Sequence, residues 1–181
     1  MSQLKVDSIV PRGGIASGEG GGIIQVVTTN ISARTTVTGL SNTGFTDISG
    51  FSKAITLKST SSKALIMIMC NASHQTNEFA MPMRVIRRVG GSDTNVNVGD
   101  STGIRISGSA GYTQSGTPAN SITFIGVDSP ATTSVITYVM QLGSQSSQNI
   151  CINGSQSNNA NNAGVNQCVL SSSMTIMEIC A

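Results

Sequence analysis

From Ile23 onward, apolar residues recur at alternate positions in short runs, and clusters of Gly, Ser, Asn, Asp and Pro separate those runs. A period of two puts successive side chains on opposite faces, so the pattern predicts strands joined by turns rather than helices. Strands are expected over Ile23 to Thr29 and Arg34 to Thr38. A further stretch carries Phe45, Ile48, Phe51, Ile55 and Leu57 through a turn at Ser49-Gly50. Met81 to Val89 follows, then Ile104 and Ile106 around Arg105, then Ile122 to Val127. Ile136, Tyr138, Met140 and Leu142 form a clean alternating face. Ile150 to Ile152 and Met174 to Cys180 complete the set. Roughly eight to ten strands at this spacing predict a sandwich or barrel.

One run breaks the alternation. Ala64-Leu65-Ile66-Met67-Ile68-Met69-Cys70 is apolar at every position. Such a strand is expected to be covered on both faces. A buried helix is the alternative, but the run is short and bounded by Ser and Asn. In a sandwich the opposite sheet covers one face, and a neighbouring subunit is the natural cover for the other. Leu65, Ile66, Met67, Ile68 and Met69 are therefore candidate trimer-core residues.

The first 22 residues differ in kind. Leu4, Val6, Ile9 and Val10 give a short amphipathic piece that ends at Pro11, and half of residues 11–22 are glycine. Glycine-rich stretches act as flexible connectors. The chain thus divides into an anchor and linker, 1–22, and a body, 23–181. Leu4, Val6, Ile9, Val10 and Pro11 are the candidate anchoring residues.

Composition agrees with strands and limits the chemistry. Charged residues make up 10 % and aromatic residues 3 %, there is no Trp, and the formal net charge is +2. β-branched residues and Ser, Thr, Asn and Gly dominate, which suits half-buried sheets and many turns. A surface so poor in charge is either a hydrated hydroxyl and amide surface or is partly hidden in an oligomer. Nucleic acid is not an expected partner, because it requires a concentrated basic footprint. Arg84, Arg87 and Arg88 are read as structural arginines that pair with acids or carbonyls. No run is long enough to span a membrane as a helix.

Catalytic, metal and cofactor chemistry finds no motif. Cys70, Cys151, Cys168 and Cys180 lie far apart, and His74 is the only histidine, so zinc-ligand spacing is missing. The opening MSQLKVDSIVP has no apolar signal core. The cysteines are read as small buried hydrophobes in a reduced compartment; a bridge between Cys151 and Cys168 is the other reading. Any Ser/His or Cys/His site must run through His74, whose neighbours carry no signature. The eight carboxylates, Asp7, Glu19, Asp47, Glu78, Asp93, Asp100, Asp128 and Glu178, form no paired motif of the kind glycosidases need. Asp128, ahead of Ser129-Pro130, is read as a turn former. Glu178, in an apolar final strand, must be paired or face water, and an arginine is the expected partner.

Several pieces in order resemble small fibre proteins of tailed bacteriophages, particularly those of marine bacteria and cyanobacteria. They are Leu4-Lys5-Val6-Asp7-Ser8-Ile9-Val10-Pro11, Gly20-Gly21-Gly22-Ile23-Ile24-Gln25-Val26-Val27, and the Phe45 to Gly50 stretch followed by Ser62 to Met67. Gly99-Asp100 with Gly103-Ile104-Arg105, Asp128 to Ser134 with Thr137-Tyr138, and Met174 to Ile179 extend the likeness over nearly the whole chain. The resemblance implies an all-β antiparallel sandwich of the jelly-roll, tumour-necrosis-factor-like type. It also implies a homotrimer with a short extended N-terminal anchor, made in the host cytoplasm and built into the virion through contacts with tail or capsid proteins. Longer relatives carry extra fibre or coiled-coil segments, and this chain has none, which speaks against a long reach.

Three functions compete at this stage: a structural appendage of the particle, a host-receptor module, and a depolymerase. Surface glycan is the receptor that polar loops could take, because Ser, Asn and Gln hydrogen-bond hydroxyls. The candidate receptor-facing residues are Tyr112, Gln114 and Asn120 in one stretch and Gln156, Asn158 and Asn159 in another. The sparse acids and bases weigh against the depolymerase.

Overall fold

A computed structural model of the chain describes residues 22–40, 44–74, 80–100, 107–113, 119–144, 148–155 and 169–180. The five anchor residues fall outside this set, as do Gln114, Gln156, Asn158, Asn159, Cys168 and the expected strand around Arg105. The described residues form β1 (Ile23–Ile31), β2 (Thr35–Val37), β3 (Thr46–Ile55), β4 (Lys63–His74), β5 (Ala80–Val89) and β6 (Ser92–Val96). They continue as β7 (Ala110–Thr113), β8 (Asn120–Asp128), β9 (Ile136–Leu142), β10 (Ile150–Ile152) and β11 (Ser172–Ile179).

These strands make two antiparallel sheets. One runs β1-β11-β4, continues through β10 to β2, and carries β8 on β4; the other runs β3-β9-β5-β6, with β7 also on β5. Set aside the short β2 and β10 and treat β6 and β7 as one strand in two pieces. The pairs β1–β11 and β4–β8 then lie in the first sheet, and β3–β9 and β5–β6/β7 in the second. That is one long hairpin wound so that successive pairs alternate between sheets, the jelly-roll arrangement. The fold is all-β, an antiparallel jelly-roll sandwich.

The core forms where alternate side chains of the two sheets meet. Ile66, Ile68, Ile122, Phe124, Met174 and Ile176 come from the first sheet, and Phe51, Met83, Val85, Tyr138, Met140 and Leu142 from the second. Gly126, on the inward side of β8, leaves room for the Phe124 ring: a Cβ there would lie 2.4 Å from its Cζ. The expected turn at Ser49-Gly50 is instead a bulge within one continuous strand. β3 pairs with β9 on both sides of it, with the register shifting between Asp47 and Ser52. Gly50 takes a φ of +84°, which only glycine adopts freely, and its missing side chain lets Ile31 approach.

The two ends of the sandwich differ. At one end the chain enters and leaves, and the Cys180 amide donates to the Gly22 carbonyl at 2.9 Å. The connections 56–62, 90–91 and 129–135 lie at this end too. At the other end lie His74, Thr113, Asn120, Leu142 and Ile150, as the registers of β4, β5, β9 and β10 require.

Candidate assembly surface

The strand registers place the outward side chains of β1, β11, β4 and β8 in three rows. Nearest the chain ends the row is Val26, Met177, Leu65 and Val127. The middle row is Thr28, Thr175, Met67 and Ile125, and the third is Asn30, Ser173, Met69 and Thr123. No residue in the three rows is charged. The first row is wholly aliphatic or thioether, the second half so, and the third mostly hydroxyl and amide. Four strands and three rows span roughly 400 Å² from strand spacing and rise alone, the size of the largest patch on a typical monomer, which is often functional. Exposure is high: Val26 53 %, Met67 38 %, Met69 41 %, Ile125 70 % and Val127 44 %.

This refines the reading of residues 65–69. Ile66 and Ile68 point inward and are 0 % and 3 % exposed within their own chain, so they belong to the sandwich core and cannot line a contact between chains. Leu65, Met67 and Met69 point outward and remain candidates. The run has no polar face because one side feeds the chain's own core and the other feeds the open sheet face.

The outward face of the second sheet is built differently. Arg88 makes a bidentate pair with Asp93, at 2.7 and 2.9 Å, and also reaches Asp47 at 3.1 Å. Gln141 donates to Asp47 at 2.6 Å and accepts two bonds from Arg84, whose guanidinium lies 4.2 Å from the centre of the Phe45 ring. The Arg88 guanidinium holds the Asp93 carboxyl below the usual range. This network joins β6, β5, β9 and β3 across a solvated surface, and it meets the expectation that these arginines are structural.

No protein-family model and no curated protein matches the sequence. Among solved structures, the chain is similar to one of the infectious bursal disease virus Gt strain, at 12 % identity and a TM-score of 0.48, over 98 % of this chain and 47 % of that one. The VP2 subviral particle of infectious bursal disease virus gives 15 % identity and a TM-score of 0.39, over 87 % of this chain and 33 % of that one. The Gx strain structure gives 10 % and 0.35, over 87 % and 42 %. This chain thus covers less than half the length of each. Likenesses this distant leave function to the chain's own geometry.

Three inward polar groups mark what the sequence reading missed or misplaced. Glu178 is fully buried, but its partner is not an arginine. It accepts from the Lys58 amide at 2.7 Å and from the Gln25 side chain, its cross-strand neighbour. Burial pushes its carboxyl up, yet the nearby Ser62 hydroxyl and the hydrogen bonds from Gln25 and the Lys58 amide together outweigh that and leave the pKa lowered. Among the described residues, the inward arginine of β5, Arg87, is taken by Asp128 at the end of β8, while Glu178 lies beside β1 and the Lys58 amide.

Asp128 does more than start a turn. It accepts both oxygens' worth of bonding from Arg87, at 2.8 and 2.9 Å, and from the Tyr138 hydroxyl at 2.8 Å. Arg87 and Tyr138 sit on the second sheet and Asp128 on the first, so the cluster latches one sheet to the other. Burial and the hydrogen bond to Asp128 both raise the Tyr138 pKa, so the phenol stays protonated.

His74 lies at the end of β4 rather than in a loop, with Nε2 2.8 Å from the Ser144 hydroxyl. Both side chains are 0 % exposed, so the pair offers no surface to a substrate. Among the described residues no group of three His, Cys, Asp or Glu could hold a metal ion. Cys70 and Cys151 are buried free thiols, and burial pushes Cys70 up to about 12, which keeps it unreactive. Of the candidate loop residues, Tyr112 lies on β7 opposite Met81, and Asn120 opens β8 opposite Ala72.

Proposed function

We propose that the chain is a non-catalytic structural component of a bacteriophage virion: a small homotrimeric fibre or spike held to the tail or capsid through its N-terminal segment. The observation that carries this reading is the three uncharged, largely apolar outward rows of the β1-β11-β4-β8 sheet, bounded by Lys63 at the start of β4 and set against a charged network on the opposite face. A soluble single domain has no reason to leave one sheet face bare while it equips the other with ion pairs. Copies meeting through the bare face would bury it. The resemblance to small phage fibres and the glycine-rich tether ahead of Ile23 supply the setting. The anchor would carry Leu4, Val6, Ile9, Val10 and Pro11 into another virion protein. Deleting residues 1–12 should leave a stable trimer that no longer enters particles; normal incorporation of the deleted protein would defeat the proposal.

The second reading, a host-receptor protein that binds surface glycan, is favoured by one feature of the strand layout. The described residues before and after 114–118 and 156–168 lie toward the end opposite Gly22: Thr113 pairs with Ala80, Asn120 and Ile152 with Ala72, and the Leu170 amide donates to the Asn153 carbonyl. A body fixed at Gly22 would direct both stretches away from the particle. Binding of the purified protein to host cells, lost when these stretches are exchanged for Gly-Ser linkers, supports this reading; unchanged infectivity after the exchange removes it.

A further inference from the structure

Asn153-Gly154 is the only Asn-Gly pair in the chain, and such a pair carries a reaction of its own. The glycine amide nitrogen can attack the asparagine Cγ, because no Cβ on the glycine stands in its way. The new C–N bond closes a five-membered imide. The side-chain nitrogen leaves as ammonia, taking the amide proton, and water then opens the imide to aspartate or isoaspartate. In sum one water is taken up and one ammonia is released. The fold holds both residues tightly. Asn153 follows β10 with a φ of +60°, a conformation that asparagine tolerates better than most residues, and it is fully buried. Its Nδ2 donates to the carbonyls of Ile31 at 2.8 Å and Ala33 at 3.1 Å, and its Oδ1 accepts from the Ser172 hydroxyl at 2.5 Å. Its backbone amide donates to the Asn71 carbonyl at 2.8 Å, and its carbonyl accepts from the Leu170 amide at 3.0 Å. One residue thus ties together the β1–β2 connection, β4 and β11. Gly154 lies under the stem of Arg34, where a Cβ would sit 2.9 Å from Cδ, and Arg34 is held there by its bond to the Ser155 carbonyl at 2.9 Å.

We infer that Asn153 is a modification site governed by folding: it deamidates far faster in the unfolded chain than in the native one, and a deamidated chain no longer closes the sandwich. To bring Cγ onto the Gly154 nitrogen, the carboxamide must first break three hydrogen bonds in a site shielded from solvent. Leaving those buried groups unpaired slows the reaction by at least about 30-fold. Once the reaction has run, an acceptor stands where a donor was. A carboxylate at this position faces the Ile31 and Ala33 carbonyl oxygens, which repel it, and the isoaspartyl form also lengthens the backbone within a tight turn. The β1–β2 connection then loses its link to β4 and β11 through this residue. The pair therefore acts as a one-way clock on the unfolded chain, and promptly folded copies keep the hub intact.

The test holds the full chain at mildly alkaline pH, one sample in buffer and one in urea. Chymotryptic peptides, fragmented in the mass spectrometer, report conversion of amide to acid at Asn153 apart from the other asparagines. At intervals the urea sample is diluted to refold, and size exclusion divides folded from unfolded protein. Conversion at Asn153 is expected to run at least about 30-fold faster in urea than in buffer, with the converted chains confined to the unfolded fraction. Asn153→Asp, which carries the charge without the longer backbone, should refold poorly from the outset. Rates in buffer within a few-fold of those in urea overturn protection by the fold. Converted chains that refold as readily as unconverted ones, or an Asn153→Asp chain that refolds normally, overturn the exclusion of modified copies. Absence of conversion at Asn153 in urea removes the site altogether.

Discussion

The outward faces of the two sheets come from strands of similar length and similar apolar content, yet they solve exposure in opposite ways. On β5, Arg84 and Arg88 flank Ile86; on β4, Leu65, Met67 and Met69 hold the equivalent outward positions. Guanidinium groups suit a face that stays in water, because their stems cover apolar neighbours while their heads remain hydrated. Thioethers and branched aliphatics have no polar end to offer, and they reach a favourable state only when another apolar surface covers them. The difference lies in what each face meets after folding. The inward faces show no such divergence, since both pack an apolar core and bond their few polar groups within the chain. Under the proposed assembly, the first sheet's outward face is the one that another copy would cover.

The comparison breaks most easily at Met67. Met67→Asp places an unpaired charge in the centre of the bare face, and association is expected to weaken by at least about 100-fold, judged by the cost of burying an uncompensated charge. Light scattering across a dilution series measures it, and the folded content should be unchanged because Met67 points out of the core. Next in size is the latch that joins the sheets. Asp128→Ala strands the Arg87 guanidinium and the Tyr138 hydroxyl, and should lower stability by about 3 kcal/mol. Urea denaturation checks this. The variant should keep its assembly state wherever it is folded, which separates internal adhesion from contact between copies.

Glu178 gives a pH-dependent effect of intermediate size. Its folded pKa lies below the ordinary value of 4.5, so its stabilising contribution is complete above that value and is lost as pH falls through the lowered one. Glu178→Gln removes the charge-assisted acceptor and sets an amide against the Lys58 amide, at a cost of about 2 kcal/mol near neutral pH. The gap between wild type and variant should narrow as pH drops below 4.5, which thermal melts at several pH values will show. The smallest effect belongs to the charged face. Arg88→Ala breaks contacts to Asp93 and Asp47 that are open to solvent, so the denaturation midpoint should barely move and the assembly state should not change. A loss of assembly in this variant would reverse the roles assigned to the two faces.

The sequence carried the sandwich well wherever burial followed one face. The alternation of Ile136, Tyr138, Met140 and Leu142 marked β9 within a residue, and the all-apolar 64–70 run pointed to a strand, of which the opposite sheet covers one side. It did not carry β6: Ser92 to Val96 is almost wholly polar, and it is a strand only because Arg88 and its neighbours supply a pairing edge and ion partners. Nor did it reveal that 64–70 extends to His74, because Asn71, Ser73 and His74 are polar yet buried by hydrogen bonds to Ser171, Gly154 and Ser144. Glu178 and Asp128 were visible as charges in need of an explanation. Their partners were not, since Lys58 and Gln25, and likewise Arg87 and Tyr138, come together only through the winding of the two sheets.

The most direct test of a face covered by copies is the rate at which dilute peroxide oxidises its methionines. Met67 and Met69 are 38 % and 41 % exposed in the single chain, whereas Met83 and Met140 are 0 %. In the native assembly Met67 and Met69 should oxidise as slowly as the buried pair, and they should become fast once dilution separates the copies. Rapid oxidation of Met67 and Met69 in the concentrated wild-type protein, equal to that in the diluted one, would contradict the account.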